Sequence, residues 1–401
     1  MLVTVVGGGV AGSAAAIALR RIGADVTVYE AYDDPAGPVG SYVSLAVNGL
    51  RALGALGCLR QVQSAGFPVA RQRMWSGRGK LVGDVARGRR PEDSLHSVTL
   101  MRADLVSVLR ATAREAGARI VAGQRLDGAP GPRTADADLI VGADGIWSAT
   151  RHALDPAAPR PSYAGLYSVS GTSGTVPPGL PRDGFNWIFA RHGVFIFLPV
   201  PDGTVWWTAQ VAAPEPPPDP SAIGLAELSR LFSTEPQAAA VLRTATAVRT
   251  ANLGHVLKPV THRHRDRIVL IGDAAHPVGA GQGASIALED AIILARHLAA
   301  VTPDATPRAL AAFDRERQPR AGKLARMETS NRDAKTAGPI AARMREMIMP
   351  RVFDRCYEKA TRWLYDFDPG MLPAAATTVQ ANDEFALASD EIPQTDCPVG
   401  I

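Results

Sequence analysis

The feature that most constrains the fold is a glycine-rich turn between a buried strand and a helix at the start of the chain. The run LVTVVG (2–7) is short and rich in β-branched residues, which is typical of a strand buried on both faces. An alanine-rich helix follows and ends at Gly23, and DVTVYE (25–30) has the pattern of a second strand. Strand, helix and strand within one short segment indicate a βαβ unit with a right-handed crossover. The sequence therefore predicts an α/β fold built on a parallel sheet.

The glycines of this turn have the spacing G-x-G-x-x-G, at Gly7, Gly9 and Gly12. In this pattern one glycine allows the tight turn, one lets the backbone approach a pyrophosphate, and one lets helix and strand pack closely. The helix N-terminus adds unpaired N–H groups and the positive end of a dipole. Glu30 ends the second strand, where a carboxylate can accept hydrogen bonds from ribose hydroxyls. The residues predicted to bind the ADP half that NAD and FAD share are Gly7, Gly9, Val10, Ala11, Gly12, Glu30 and Ala31.

A second strand–turn–helix segment, IVLIGDAAHPVGAGQGASIALEDA (268–291), lies far along the chain. It has no second G-x-G-x-x-G followed by a ribose-binding acid, which argues against a separate nicotinamide-binding domain. FAD extends beyond its ADP half, so a second segment is needed for the ribityl chain and the flavin ring. A carboxylate at the strand end suits the ribityl hydroxyls, and the N-terminus of the next helix suits the negative charge of reduced flavin. The residues predicted to bind this half are Gly272, Asp273, Gly281, Gln282, Gly283, Ala284 and Ser285.

Three motifs together resemble the single-component flavoprotein aromatic hydroxylases, the family of para-hydroxybenzoate and salicylate hydroxylases. They are GGGVAG (7–12) with Glu30, DLIVGADGIWSATR (138–151), and the second turn at 268–291, in the order found in the family. The resemblance implies a para-hydroxybenzoate hydroxylase-like α/β fold. Such a fold has a Rossmann-like FAD-binding domain, an inserted antiparallel β-sheet domain for the substrate, and C-terminal helices.

The resemblance also implies roles for residues outside the two glycine turns. Those implied to contribute to FAD binding, and in part to nicotinamide binding, are Arg102, Asp144, Gly145 and Arg151. Two features depart from the family. The loop PVGA (277–280) is shorter than the proline-containing loop that lies beside the flavin ring in the family. No arginine lies between Arg21 and Arg51, where the family often has one that assists cofactor movement.

The middle of the chain differs in composition from its two ends. Short runs rich in aromatic and β-branched residues, such as GVFIFLP (193–199), are separated by turns and predict antiparallel strands. Beyond Arg362 the chain holds acidic residues but no basic ones. We therefore expect an FAD-binding domain at 1–70, 98–160 and 262–345, a substrate domain at 71–97 and 161–261, and a C-terminal helix with an acidic tail at 346–401.

Composition argues against several classes of protein. The 401-residue chain has 43 basic and 39 acidic residues without a long run of like charge, so nucleic-acid binding is not expected. No apolar run is long enough to span a bilayer, and glycines interrupt the apolar N-terminus, so we expect a cytoplasmic protein. The cysteines Cys58, Cys356 and Cys397 lie far apart in sequence and predict neither a disulfide framework nor a metal site. Monomer and homodimer both remain open.

The resemblance implies a monooxygenase reaction that consumes NAD(P)H and O2. NAD(P)H would reduce FAD, which would form a C4a-hydroperoxide with O2 and transfer its distal oxygen to an electron-rich ring. The Ala-, Gly-, Pro- and Arg-rich composition is typical of GC-rich genomes, in which this family often acts in secondary metabolism. We therefore expect a hydrophobic aromatic or polycyclic substrate of polyketide or alkaloid type. The candidate substrate contacts are Trp187, Phe195, Phe197, Trp206, Gln210 and Pro277. His192 is a candidate catalytic base, whereas His276 is assigned to supporting the second turn.

The cofactor motifs leave other reactions open. Baeyer–Villiger oxidation and epoxidation use the same cofactor residues. A geranylgeranyl-reductase-like or halogenase-like flavoprotein would share the scaffold, although the halogenase signature W-x-W-x-I-P is absent. A flavin-binding regulatory protein without turnover is supported only by the short loop. Bound flavin and ligand-stimulated NAD(P)H consumption would separate these alternatives.

Overall fold

The protein is described by a computed structural model over most of the chain. The described ranges are 1–34, 42–128, 131–278, 281–335, 353 and 356–373. The predicted acidic tail beyond residue 373, and residues 279–280 of the PVGA loop, lie outside these ranges.

The elements alternate between strands and helices at both ends, with a strand-rich middle. The strands are β1 (Leu2–Val6), β2 (Asp25–Tyr29), β3 (Tyr42–Leu45), β4 (Phe67–Val69), β5 (Arg71–Ser76), β6 (Leu81–Ala86), β7 (Ser97–Met101), β8 (Arg119–Val121), β9 (Leu139–Gly142), β10 (Ser162–Ser173), β11 (Phe185–Ala190), β12 (Gly193–Pro199), β13 (Val205–Ala212), β14 (Ala245–Val256), β15 (His264–Arg265) and β16 (Ile268–Leu270). The helices are α1 (Val10–Arg21), α2 (Val47–Ala55), α3 (Leu59–Ala65), α4 (Arg102–Glu115), α5 (Ala149–Leu154), α6 (Leu225–Leu231), α7 (Pro236–Arg243), α8 (Gly283–Leu298) and α9 (Thr306–Lys335).

The first layer is a six-stranded sheet in the order β15-β16-β9-β1-β2-β8. Its pairs are parallel except for β15 with β16. Val3 and Val5 on β1 are buried, as the β-branched run predicts for a strand covered on both faces. The alanines at positions 14, 15, 16 and 18 of α1 are fully buried, and their small side chains let α1 pack closely against α8. The carboxyl ends of β1, β9 and β16 meet at one edge of this sheet, where ligands bind in open α/β folds.

The second layer is a seven-stranded sheet in the order β14-β10-β13-β12-β11-β5-β6. Its pairs are antiparallel except for β5 with β11. The strands come from segments 71–86 and 162–256, which lie within the two stretches expected to form the substrate domain. Together the two sheets confirm the predicted α/β fold with an inserted, mainly antiparallel sheet.

The two faces of the second sheet are covered differently. Residues on one face pack under α6 and α7, whereas the other face meets β3 and β4 of a small sheet in the order β3-β7-β4. Side-chain alternation along each strand therefore decides which aromatic residues point toward β3 and β4. Within the described residues, no helix combines the length and apolar character needed to cross a membrane.

Candidate active site

The first glycine turn is built by close packing. Gly7 has φ +98°, and a Cβ atom there would lie 2.5 Å from the carbonyl oxygen of Ala143 at the end of β9. A Cβ atom on Gly12 would lie 1.8 Å from the carbonyl oxygen of Gly7. These two glycines therefore bring β1, α1 and β9 together, as the spacing predicts.

Gly9 has a different environment, because it faces open space. The atom nearest to the position of a Cβ there is a terminal guanidinium nitrogen of Arg102, at 3.8 Å. Gly9 is the N-cap of α1 and offers no side chain to the first N–H groups of the helix, which also has no acidic residue in its first turn. Unpaired N–H groups, a helix dipole and an exposed arginine together form an anion-binding corner that suits a pyrophosphate.

Glu30 is buried beside this corner. Its Oε2 accepts a hydrogen bond of 2.7 Å from the Gly8 N–H, and its Oε1 accepts one of 3.1 Å from the Tyr32 N–H. Arg110 lies 3.7 Å from the same carboxylate and donates to the Gly8 carbonyl oxygen at 2.9 Å. The acid is thus held at the strand end, next to the half-exposed Ala31. Its predicted contact with a ribose stays a prediction.

The second turn touches the first. Gly272 has φ +57°, and a Cβ atom there would lie 2.8 Å from the Cβ of Ala11. The next residue, Asp273, has an accessible side chain, yet protein surrounds it closely enough that desolvation raises its pKa, against the opposing charges of His276 and Arg102. Arg102 therefore lies within electrostatic reach of Asp273 as well as beside Gly9.

Asp290 supports the second turn from within α8. Its carboxylate accepts hydrogen bonds from the Gly272 N–H at 2.9 Å and from Arg317 Nε at 2.7 Å, and it lies 2.8 Å from His276 Nε2. Burial alone would raise the pKa of Asp290, but His276 and Arg317 lower it below its usual 3.8. The expected supporting role of His276 is consistent with this contact. No sequence motif indicated a role for Arg317, because it lies on α9, which is not part of the second turn.

The neighbouring acid on α8 joins three elements. Glu289 is fully buried and pairs with Arg317 at 3.1 Å and with Arg320 at 2.6 Å. It also accepts a hydrogen bond of 2.7 Å from the amide of Asn48 on α2. These contacts hold α2, α8 and α9 in one arrangement, so the start of α8 is rigidly positioned.

The N-terminus of α8 fits a hydrogen-bonding ligand. A Cβ atom on Gly283 would lie 3.6 Å from Asp273 Oδ1, so this helix begins beside the predicted ribityl contact. Gln282 is its N-cap and makes no capping hydrogen bond, and Ala284 is half-buried in the first turn. Gln282 Oε1 and Ser285 Oγ are buried, and neither has a hydrogen-bond partner among the described residues. Such unpaired polar atoms and open helix N–H groups match the polar edge of a flavin ring.

The Asp144–Gly145 motif forms a third turn at the same edge. Asp144 accepts hydrogen bonds from Ser148 Oγ at 2.5 Å and from the Thr150 N–H at 2.9 Å, so its carboxylate caps α5. Arg151 is fully buried and donates to the carbonyl oxygen of Ala274 in the second turn at 3.0 Å. Gly145 has φ +75°, and no atom of the described residues lies within 4 Å of the position of a Cβ there. The motif therefore ties the turns together and leaves backbone accessible at Gly145.

Comparison with known proteins agrees with this geometry. Residues 1–328 match the FAD-binding domain family. The chain is 32% identical over 364 residues to kynurenine 3-monooxygenase of Salinispora arenicola, covering 82% of this chain and 79% of that protein. It is 33% identical over 351 residues to 3-amino-4-hydroxybenzoate 2-monooxygenase of Streptomyces cremeus, covering 81% and 85%.

The chain belongs to the single-component FAD-dependent aromatic hydroxylases. It is an FAD-dependent monooxygenase. Its fold is similar to that of a salicylate hydroxylase solved with substrate, with a TM-score of 0.76 at 22% identity over 94% of this chain and 99% of the other. Among the residues that the structure describes, no group of three or more His, Cys, Asp or Glu side chains could hold a metal ion.

The hydroxylase divides the predicted substrate residues between two faces of its second sheet. Trp206 stacks on Tyr42 of β3 with ring centroids 5.6 Å apart, and Gln210 and Trp187 share this face by strand alternation and register. The Oε1 of Gln210 is buried without a hydrogen-bond partner in the described part of the chain. These three residues lie on the side of the sheet that meets β3, and their contact with a substrate stays a prediction.

Phe195 and Phe197 lie on the opposite face, which differs from the expectation that they contact substrate. Phe195 packs edge-on against Phe232, at the end of α6, with centroids 5.4 Å apart, and it stacks on Trp207 at 6.1 Å. Both phenylalanines are fully buried in the core beneath α6 and α7. Phe195 and Phe197 share a face because side chains alternate along β12. The sequence shows this alternation but does not indicate which face packs under α6 and α7.

Two further candidates lie outside the sheet faces. His192 is in the turn between β11 and β12, where its carbonyl oxygen accepts from the Ala212 N–H at 2.9 Å, so its role as a base stays a prediction. Pro277 follows His276 and is half-buried.

Sequence reasoning missed Tyr42 and Arg87. The Arg87 guanidinium carbon lies 4.4 Å above the ring of Phe185, on the same face as Trp206. Only the parallel pairing of β5 with β11, between segments far apart in the chain, brings this part of the protein to that face. No local pattern could have indicated it.

Proposed function

We propose that the enzyme consumes NAD(P)H and O2 to insert one oxygen atom into an aromatic small molecule. The observation that carries this proposal is the contact between Gly272 and Ala11, because it joins the two glycine turns into one crevice. This crevice offers an anion-binding corner at Gly9 and a carboxylate at Asp273, which suit the pyrophosphate and the ribityl hydroxyls of one FAD molecule. Bound flavin supplies hydride acceptance and O2 activation, and the protein supplies position and environment.

The residues of the crevice have separable tasks in this proposal. The N-terminus of α1 and Arg102 would hold the pyrophosphate, and Asp273 would accept a hydrogen bond from a ribityl hydroxyl. The start of α8, near Gly283 and Ser285, would stabilise negative charge at the polar edge of the reduced ring. Ser285 Oγ has no hydrogen-bond partner among the described residues, and α1 and α8 both begin without a side-chain cap.

An aromatic wall lies on the substrate side. Trp206 is stacked on Tyr42 and meets Phe67 edge-on, with centroids 5.6 Å apart in both pairs. These rings offer flat apolar surface for an aromatic substrate and exclude water from the reaction. The two relatives named above act, by their names, on kynurenine and on 3-amino-4-hydroxybenzoate. Their aromatic substrates support the same class for this enzyme.

The test uses purified protein. We expect a yellow protein that releases FAD on denaturation and oxidises NADH or NADPH faster when an aromatic substrate is present. With ¹⁸O₂, the product should gain one labelled oxygen atom in the mass spectrum. A colourless protein that neither binds added FAD nor consumes NAD(P)H in air would contradict the proposal.

A further inference from the structure

The last described part of the chain is held by arginines from three helices. It is a helix over 356–365 that continues as an irregular segment over 366–373, and we call residues 363–370 the strap. The carbonyl groups in the last turn of a helix have no partner within the helix, so they need donors from elsewhere. The hydrogen bonds to strap carbonyl oxygens are from Arg320 to Trp363 at 3.3 Å and Leu364 at 3.2 Å, from Arg51 to Phe367 at 3.2 Å, and from Arg296 to Pro369 at 3.0 Å.

Arg320 joins the strap to α8. It lies on α9 and is buried, and its Nε and one terminal nitrogen donate to the two carboxylate oxygens of Glu289 at 2.7 and 2.6 Å. The same guanidinium donates to the carbonyl groups of the strap, and its carbon lies 3.9 Å from the centroid of the Phe367 ring. One planar side chain therefore contacts a buried acid of α8 on one side and the strap on the other.

The ionic contacts continue from Glu289 to the second glycine turn. Arg317 donates to Glu289 at 3.1 Å and to Asp290 at 2.7 Å, and Asp290 in turn accepts from the Gly272 N–H at 2.9 Å. Glu289, Asp290 and Arg317 are buried, so these charge-assisted hydrogen bonds are screened little by water. A continuous series of contacts thus leads from the strap to the turn that carries Asp273.

An apolar contact joins the strap to the same elements. Leu364 and Tyr365 are buried in one cluster with Ile286, which lies in the first turn of α8. The partly buried Val278 packs against this cluster from the loop that precedes α8. The strap therefore reaches the beginning of α8 by two independent routes, one ionic and one apolar.

The position of this helix end matters for a flavin. The effect of a helix N-terminus on a nearby negative charge falls off within the first turn, so a small displacement changes it. The first N–H groups of α8 are the donors that suit the negative charge of reduced flavin. An element that fixes α8 can therefore affect the flavin without contacting it.

We propose that Arg320 is a positioning residue, which holds the docked strap against α8 and so keeps the start of α8 and the second turn in the arrangement that receives FAD. The inference rests on the proposed function, because it uses the assignment of α8 to the flavin ring. Linkage is reciprocal, so a docked strap strengthens FAD binding and bound FAD keeps the strap docked by the same factor.

Three variants loosen the strap in different ways. Arg320→Met removes its link to α8 but also takes one partner from the buried Glu289. Arg320→Lys keeps a charge beside Glu289 and lacks the planar fork that reaches the strap as well, so it should restore part of the loss. Arg51→Met releases the strap from α2 and leaves the Arg320–Glu289 pair in place. Arg263→Met is the matched control, because it breaks an ion pair with Asp314 of α9, at 2.6 Å, that does not involve the strap.

The measurements are the FAD dissociation constant of the apoprotein and the two-electron midpoint potential of the bound flavin. In Arg51→Met and Arg320→Lys, oxidised FAD should bind about twofold to fivefold more weakly, which is the effect of a helix terminus on a nearby charge. Reduced FAD should lose a further factor of about two to five, which lowers the midpoint potential by about 10–20 mV. Arg320→Met should show the larger change, and Arg263→Met should keep the FAD affinity and potential of wild type.

Hydrogen–deuterium exchange tests the reciprocal effect in wild type. Peptides covering 356–370 should exchange about twofold to fivefold more slowly in the FAD-loaded enzyme than in the apoprotein. Peptides from α6 and α7, which pack on the far face of the second sheet, should exchange equally in the two forms.

Several outcomes would overturn this inference. They are wild-type FAD affinity and potential in both Arg51→Met and Arg320→Lys, an equal loss in Arg263→Met, and exchange of the strap that does not respond to FAD. The proposed function fails separately, because it fails when wild type itself binds no FAD. Normal FAD binding in wild type together with unchanged strap variants would contradict only the role of Arg320.

Discussion

A Cβ atom on Gly272 would lie 2.8 Å from the Cβ of Ala11, so the turn after β16 packs directly on the first turn of α1. These residues are far apart in the sequence, yet their contact brings the two glycine turns together. The Gly272 N–H also donates a hydrogen bond of 2.9 Å to the carboxylate of Asp290. The junction between the two turns is therefore closely packed, and one added methyl group on Gly272 would disturb it.

Gly272→Ala should reduce FAD binding. The added methyl group would meet Ala11, and φ +57° costs about 1–2 kcal/mol for a residue other than glycine. We expect a lower FAD-to-protein ratio and a lower melting temperature. Gly203→Ala is the matched control, because Gly203 has φ +88° but no atom in the described part of the chain lies within 4 Å of the position of a Cβ there. Equal FAD content in the two variants would show that the contact with Ala11 does not control the crevice.

Asp273→Ala should lose bound FAD or most activity, since a charged hydrogen bond to the ribityl chain would be missing. We expect FAD affinity to fall by about tenfold to a hundredfold in a fluorescence titration of apoprotein. His264→Ala on β15 should change neither FAD affinity nor activity. Wild-type affinity and rate in Asp273→Ala would remove Asp273 from the cofactor site.

Asp290→Asn should destabilise the enzyme at neutral pH. The carboxylate is fully buried with His276 and Arg317, and removing one partner of a buried ion pair costs about 3–5 kcal/mol. Because the folded-state pKa lies below the usual 3.8, the contribution of Asp290 is complete above that value and is lost as pH falls below it. Melting temperatures of wild type and variant should therefore differ most from pH 5 to 7, and the difference should shrink progressively as pH falls below about 4. A constant difference at every pH would contradict this account.

Local patterns predicted the two glycine turns, because each turn depends on a short segment of the chain. The spacing of Gly7, Gly9 and Gly12 predicts a turn between a strand and the next helix. The Gly272–Asp273 turn likewise lies between a strand and the helix that follows it in the sequence. The substrate wall depends instead on strand register. The pairing of Phe185 with Gln72 joins strands on distant segments and places Arg87 near Phe185. In the same way, strand alternation alone does not tell which face of β12 is covered.

Trp206 and Phe195 should respond in opposite ways to truncation, since they lie on opposite faces of the second sheet. Phe195→Ala empties a fully buried position beneath α6 and α7, which typically costs about 3–5 kcal/mol in the free energy of unfolding. Its effect on ligand preference should be small wherever the variant remains folded. Trp206→Leu removes the ring that stacks on Tyr42 and should weaken aromatic ligand binding, and increase uncoupled NAD(P)H oxidation, with a smaller loss of stability.

The comparison requires urea unfolding and calorimetric ligand binding for both variants, with Phe195→Leu as a milder core substitution. The urea midpoint should be lowered least in Trp206→Leu, more in Phe195→Leu and most in Phe195→Ala. Ligand affinity should change mainly in the tryptophan variant. If Phe195→Leu altered ligand affinity as strongly as Trp206→Leu while remaining fully folded, the division of the sheet into a substrate face and a core face would be wrong. We expect Phe195 substitutions to affect mainly stability, because Phe195 packs on Phe232 in the core. We expect the Trp206 substitution to affect mainly ligand affinity, because Trp206 stacks on Tyr42 on the other face.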